Sequence, residues 1–332
     1  MAAWTPEEEE RRRRRKRILQ GLLIGGAAVG VPALFNAAVA RRARKVEPTA
    51  WGRRHRYAWE LGDVAFQRLG DGDPLLLLHS FGPGHDAIEW RAAAERLARS
   101  WQVFAPDLPG WGRSDRPSLD YDSELYIDFV IDFLIDLLRR RAVLVASGIA
   151  AAYAIQVAVD RPELVRALVL VAPLGVDLAS DEPDLKDAVI HRLLRLPVLG
   201  TSALNVYSSR NGIAHHLRHE LYADADAVGE ALVDHYWRGA HDAGSRAALA
   251  AYLSGYLNHR VLPALPRLKV PTLIVWGRKA VNPAVESADL WLREIPDAEL
   301  EVVEDAGVLP QAERPDVFCG RVESFLRSLP SA

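Results

Sequence analysis

The side chains that could do chemistry cluster in a few short stretches. Residues 142–148 read A-V-L-V-A-S-G, an apolar run of strand length ending in small residues. A helical stretch from Ile149 to Asp160 follows, closed by the breaker Pro162. Ser147 stands at this strand-to-helix turn, where a hydroxyl can act as a nucleophile if a base and an orienting acid are near. His79 and Ser80 end a second apolar run, with His85, Asp86 and Glu89 just beyond. Glu304 and Asp305 end a third. His215 and His219 are spaced i, i+4, so a helix puts them on one face, as metal ligands require, but His216 breaks the pattern and no H-E-x-x-H occurs. No metal or other cofactor is expected.

The turn itself decides which of its residues faces a reactant. A strand that turns sharply into a helix crowds its neighbours, so the residues flanking the central one must be small. With Ser147 at the centre the flanks are Val145 and Ile149, which defeats the turn; with Gly148 there they are Ala146 and Ala150. The Gly148 register is preferred, and it directs the Ser147 side chain away from the pocket.

Five segments in order resemble the α/β-hydrolase superfamily, over about residues 56–330. P-L-L-L-L-H-S-F-G-P-G (74–84) is similar to the third strand and oxyanion loop, and F-A-P-D-L-P-G-W-G-R-S-D-R-P (104–117) to the D-x-P-G-x-G-x-S-D-x-P stretch. Residues 142–151 match the strand, tight turn and helix of the nucleophile elbow, usually G-x-S-x-G. P-T-L-I-V-W-G (271–277) corresponds to the strand before the acid, and A-G-V-L-P-Q-A-E-R-P (306–315) to the segment around the histidine. The resemblance implies an α/β fold: a mostly parallel eight-stranded sheet with flanking helices and an inserted helical cap over residues 175–264. Strands are expected near 56–60, 63–68, 74–79, 101–105, 142–147, 167–172, 271–276 and 299–303.

The same resemblance puts Gly148, Ala280 and Val308 at the nucleophile, acid and histidine positions. None of these side chains attacks or titrates, so no catalytic residue is assigned. The oxyanion donors it implies are the backbone N–H groups of Phe81 and Ile149, with Ser80 and Ser147 beside them as the remaining ligand-binding candidates. His79 reads as structural; His85, Asp86 and Glu89 read as a solvated loop, and Glu304 and Asp305 as solvent-facing. The aromatic cap residues Tyr207, Tyr222, Tyr236, Trp237, Tyr252 and Tyr256 read as packing around an apolar cleft.

Composition adds a polarity along the chain. Residues 1–54 carry 13 Lys/Arg against 5 Asp/Glu, whereas the remainder carries 28 against 39. A basic arm on an acidic body suits anionic lipid rather than nucleic acid. Within it, residues 18–40 form an apolar run long enough, at ~34 Å as a helix, to cross a bilayer core of ~30 Å. The expected organisation is a charged tail (1–17), a membrane anchor or signal-like segment (18–40), a basic linker (41–55), the core (56–174 and 265–330) and the cap. The single Cys319 excludes an internal disulfide and is expected to pack in the last helix. The leading expectation is therefore a membrane-anchored, non-catalytic binder of an apolar small molecule or a membrane protein partner. The alternatives are an ester hydrolase or lyase that uses other residues of the same cleft, and a structural subunit of a membrane complex.

Overall fold

Two strands with no exposed residue set the frame. Pro74–Leu78 and Ala142–Ser147 are buried along their whole length, the pattern of central parallel strands covered by helices on both faces. The computed structural model of the protein describes residues 6–47, 49–176 and 183–329. Residues 1–5 of the expected tail, Pro48 of the linker, residues 177–182 of the cap and residue 330 lie outside that description.

Eight strands form one sheet: β1 (Arg54–Trp59), β2 (Gly62–Leu69), β3 (Pro74–Leu78), β4 (Gln102–Pro106), β5 (Ala142–Ser147), β6 (Val165–Val171), β7 (Thr272–Gly277) and β8 (Glu299–Val303). Their order is β1-β2-β4-β3-β5-β6-β7-β8. β2 pairs antiparallel with β1 and β4, and all other neighbours run parallel. All eight expected strands are present, within two residues at each end.

The helices are α1 (Pro6–Ala43), α2 (Arg91–Leu97), α3 (Ser123–Asp132), α4 (Ala150–Asp160), α5 (Leu185–Leu194), α6 (Leu199–Tyr207), α7 (Arg210–His216), α8 (Glu230–His241), α9 (Ser245–Leu253), α10 (Ala288–Glu294), α11 (Pro310–Glu313) and α12 (Pro315–Ser328). Helices α5 to α9 lie between β6 and β7, where the sequence places the cap. Cys319 is buried in α12.

The topology also says where a ligand should bind. The chain leaves β3 toward β4 on one side, then returns to build β5 on the other side of β3. Such a reversal opens a crevice at the carboxyl ends of the two strands, the usual ligand site of an open α/β sheet. Ser80 follows β3, and Gly148 follows β5.

The structure does not support the expected membrane anchor. Among the described residues no helix is long and apolar enough to cross a membrane. Residues 18–40 belong to the 38-residue α1, but Gln20, Pro32 and Asn36 interrupt the run and arginines crowd both ends. The carboxyl half of α1 docks on the cap helices α6 and α8. Asn36 is the hinge of that contact: its Nδ2 donates to the Val198 carbonyl at 3.0 Å. Its Oδ1 accepts from Ser202 Oγ at 3.0 Å and Asn205 Nδ2 at 2.9 Å. Ala43 is buried, and the Arg42 guanidinium lies 5.7 Å from the Trp237 ring centroid. A polar side chain inside an apolar run has here become an attachment point to protein.

Candidate active site

The turn after β5 adopts the strained geometry that the sequence calls for. Gly148 has φ +58°, a left-handed conformation open to glycine without the penalty of a Cβ. Its N–H donates to the Val171 carbonyl at 3.0 Å, which ties the turn to β6. Ala146, Ala150 and Ala151 around it are fully buried, so larger residues have no room. Ser147, one residue earlier, is also fully buried, and its hydroxyl lies near enough to the Glu89 carboxyl to bear on its protonation.

What occupies the space above Gly148 is the hydroxyl of Ser80. A Cβ built on Gly148 would stand 2.3 Å from Ser80 Oγ. The serine hydroxyl therefore fills the volume into which a side chain at the elbow would project. Ser80 is half-buried, whereas its polar neighbours His79, His85, Asp86 and Glu89 are buried. It is the member of this group that solvent or a ligand can reach.

Phe81 and Ile149 flank this hydroxyl on the two sides of the crevice. Neither backbone N–H has a hydrogen-bond partner among the described residues. The Phe81 ring is wedged edge-on against Trp111, Tyr126 and Tyr153, which fixes its loop. Two unused donors on rigid backbone suit a developing negative oxygen. A cavity of about 360 Å³ opens on Ile149 and is lined further by Leu174, Tyr252, His259 and Asn282.

The loop from 82 to 90 is not solvated as expected. His85 (1 % exposed), Asp86 (5 %) and Glu89 (2 %) are all buried, because α8 and α7 of the cap close over the loop. The approach is so close that a Cβ on Gly84, at φ +77°, would meet the Tyr236 carbonyl oxygen at 1.8 Å. Asp86 Oδ2 lies 2.9 Å from His235 Nε2, and its Oδ1 accepts the Ile88 N–H. Burial opposes ionisation of Asp86, but the His235 charge and these hydrogen bonds override it and hold its carboxyl below the usual range. Burial likewise works against the imidazolium of His235, and the Asp86 charge outweighs it, so His235 is raised. This ion pair rivets cap to core.

Glu89 has the most unusual surroundings. Its Oε1 accepts the N–H of Ser80 at 3.3 Å and Gln311 Nε2 at 3.4 Å. Its Oε2 is buried and lacks a hydrogen bond, although it lies 3.7 Å from His85 Nδ1. Burial pushes the Glu89 carboxyl up to about 7, against the opposing pull of His79, of the Ser80 N–H and of the nearby Ser147 hydroxyl. Burial also lowers His85 to about 4 and depresses His79. A buried carboxyl raised toward neutrality, beside imidazoles that burial lowers, has the protonation balance that proton transfer needs.

The other candidates sit elsewhere. His79 Nε2 accepts the Leu108 N–H at 2.9 Å, a structural contact. Ala280 is buried after β7, and Val308 is buried with its N–H on the Leu221 carbonyl at 2.8 Å, so a cap segment seats directly on it. Glu304 and Asp305 are exposed and paired with Arg278 and Lys279. His215 and His219 are exposed, and among the described residues no three His, Cys, Asp or Glu side chains gather as a metal site would need. Glu89 reads from the sequence as a solvent-facing loop residue, but it is buried; the tryptophan that follows it is the local signal that this segment packs inward.

Comparison with known proteins agrees with the architecture. The alpha/beta hydrolase family profile matches residues 75–321. An uncharacterized protein of Mycobacterium tuberculosis is 30% identical over 285 residues, covering 79% of this chain and 77% of that one. A 2-hydroxy-6-oxo-6-(2'-aminophenyl)hexa-2,4-dienoic acid hydrolase of Metapseudomonas resinovorans is 27% identical over 270 residues, covering 80% and 87%. Among solved structures, a serine hydrolase involved in carbazole degradation superposes with a TM-score of 0.69 at 23% identity, covering 83% of this chain and 98% of that one. The Metapseudomonas resinovorans relative and the carbazole-degradation neighbour are hydrolases, which overturns the expectation of a membrane-anchored, non-catalytic binder. By the extent of the profile match and of the mycobacterial alignment, the chain belongs to the alpha/beta hydrolase family.

Proposed function

We infer that this protein is a hydrolase acting at a carbonyl carbon, with esters as the substrate class, and that its chemistry has moved off the family's usual positions. In this reading Gly148, Ala280 and Val308 occupy the nucleophile, acid and histidine positions and contribute shape alone. Ser80 is the nucleophile, Glu89 the base, and the N–H groups of Phe81 and Ile149 hold the oxyanion. The observation that carries it is the 2.3 Å between Ser80 Oγ and the Cβ position of Gly148, which puts a hydroxyl where the elbow would present one.

The reaction follows from those roles. Ser80 Oγ loses its proton to the Glu89 carboxylate and bonds to the acyl carbon, while the carbonyl oxygen takes negative charge against the two N–H groups. Collapse breaks the ester C–O bond, and the departing alkoxide takes the proton from Glu89. Water then attacks the acyl-Ser80 intermediate, gives a proton to Glu89, and Ser80 leaves with that proton restored. The cavity beside Ile149, lined by Leu174 and Tyr252 together with His259 and Asn282, offers the acyl group mixed apolar and hydrogen-bonding walls.

A fluorophosphonate probe tests this directly. Labelling is expected in the native protein, unchanged in Ser147→Ala and abolished in Ser80→Ala. Loss of labelling in Ser147→Ala with retention in Ser80→Ala would reverse the assignment, and absence of both labelling and ester turnover in the native protein would end the hydrolase reading.

A further inference from the structure

Between Glu89 and the surface runs a row of three more groups that the acyl chemistry does not itself use. Glu89 Oε2 lies 3.7 Å from His85 Nδ1; His85 Nε2 lies 3.4 Å from His216 Nε2; His216 Nδ1 lies 2.6 Å from Glu220 Oε2. Exposure rises along the row, from 0% for the Glu89 side chain and 1% for His85 to 16% for His216 and 51% for Glu220. The first pair belongs to the core loop, the second to α7 of the cap and the turn after it, so the row exists only with the cap seated.

The hydrogen bonds fix the tautomers. A carboxylate only accepts, so the short contact to Glu220 requires the proton on His216 Nδ1. Neutral His216 then presents a bare Nε2, and the contact between the rings requires the proton on His85 Nε2. His85 Nδ1 is therefore bare and faces Glu89 Oε2. Those two facing atoms are the ones in the row that lack a hydrogen bond, and they fall less than 1 Å short of making one together. Protonated Glu89 supplies the missing donor.

We propose that Glu89, His85, His216 and Glu220 form a proton relay that connects the buried base to solvent through the cap. The proposal rests on Glu89 being the base of the reaction inferred above. Outward passage breaks the O–H bond of Glu89 and forms N–H at His85 Nδ1. It then moves the His85 Nε2 proton to His216 Nε2 and the His216 Nδ1 proton to Glu220, which releases it to water. Both tautomers reverse on outward passage and are restored on inward passage, so the relay equilibrates the base with solvent. His216 and Glu220 are thus positioning residues that act through His85.

The relay has titratable company on every side. Asp86 adjoins His85 in sequence, and the Tyr236 ring of α8 meets the His85 ring edge-on at 5.2 Å. Glu89 is influenced by His79 and Asp86 and bears on Tyr222 and Tyr236 of the cap. His215 adjoins His216. Burial lowers both imidazoles of the relay, which keeps them neutral and able to pass a proton rather than hold one.

The test uses His216→Gln and Glu220→Gln in the full chain, with ester turnover, probe labelling of Ser80 and nitrogen NMR of the histidine side chains. Because Glu89 returns each proton it takes within the acyl cycle, only re-ionisation of enzyme protonated near neutral pH depends on the relay, so turnover in His216→Gln is expected to fall severalfold at low buffer concentration with KM unchanged. That loss is expected to be recovered by added imidazole and to depend on buffer concentration, while Ser80 labelling persists. In the native protein near neutral pH the spectra are expected to show His85 protonated at Nε2 and His216 at Nδ1. Labelling retained with turnover unaffected, or lost turnover that no buffer restores, would overturn the relay and leave the hydrolase reading standing. If the native protein neither labels nor turns over esters, that reading fails instead. The NMR tautomers then judge the hydrogen-bonded row alone, and a proton on His85 Nδ1 refutes it.

Discussion

Replacing Glu89 by glutamine separates what the residue does for chemistry from what it costs the fold. The side chain keeps its length, and the amide oxygen can still accept from Ser80 N–H and Gln311, the two bonds now made by Oε1. The amide NH₂ takes the place of Oε2, facing the bare His85 Nδ1, so the orphaned pair gains a donor. Burial raises the carboxyl from its ordinary 4.5 to about 7. Unfolded chains therefore release this proton at a lower pH than the native state does, and stability falls as pH rises from about 4.5 to about 7, then levels. At 1.36 kcal/mol per unit, the ionised buried form costs roughly 3 kcal/mol at pH 8. Glu89→Gln should thus melt higher at pH 8, by roughly 4–5 °C for a chain of this length, with little gain at pH 4. Ester turnover should drop about 10²–10⁴-fold in the same variant. Native turnover should climb through pH ~7 as the base ionises, opposite in sign to stability over that range. Melting curves across pH 4–9, run beside initial rates, check both. A melting difference that stays flat with pH, or a variant less stable at pH 8, would show that Glu89 is not held as a destabilised buried acid.

Other perturbations separate the parts of the site. Gly148→Ser places a Cβ 2.3 Å from Ser80 Oγ at a left-handed φ, so it should displace that hydroxyl and cut ester turnover about 100-fold, as a ~1 Å misplacement does, rather than improve it; higher activity would favour the elbow over Ser80 as nucleophile. Asp86→Asn leaves His235 buried without its counter-charge and should destabilise the protein by roughly 3–5 kcal/mol, read by chemical denaturation. In the native protein this pair should be strongest at intermediate pH. The Asp86 contribution is lost as pH falls through its depressed value, and the His235 contribution as pH rises through its raised one. Asn36→Leu removes three hydrogen bonds to the cap, each worth about 1 kcal/mol, and should speed proteolysis and hydrogen exchange in α1 without changing strand protection. Unaltered exchange there would mean that α1 docks through other contacts.

The sequence by itself determined the frame. Eight apolar runs of strand length, small residues around one turn and the family's segments in order are local features, and local sterics suffice to read them. They gave every strand within two residues and set Gly148 at the turn, where the structure finds its left-handed φ. Burial by distant parts of the chain was not legible in this way. His85, Asp86 and Glu89 look like a polar loop until α7 and α8, more than a hundred residues later, close over them and convert solvated charges into a buried acid, a buried ion pair and a neutral imidazole. Asn36 likewise looks like a flaw in an apolar span until α6 supplies its partners. Residue order carries intrinsic shape preferences, but a group's protonation and reactivity depend on the dielectric and the partners around it, and those exist only once remote segments have packed together.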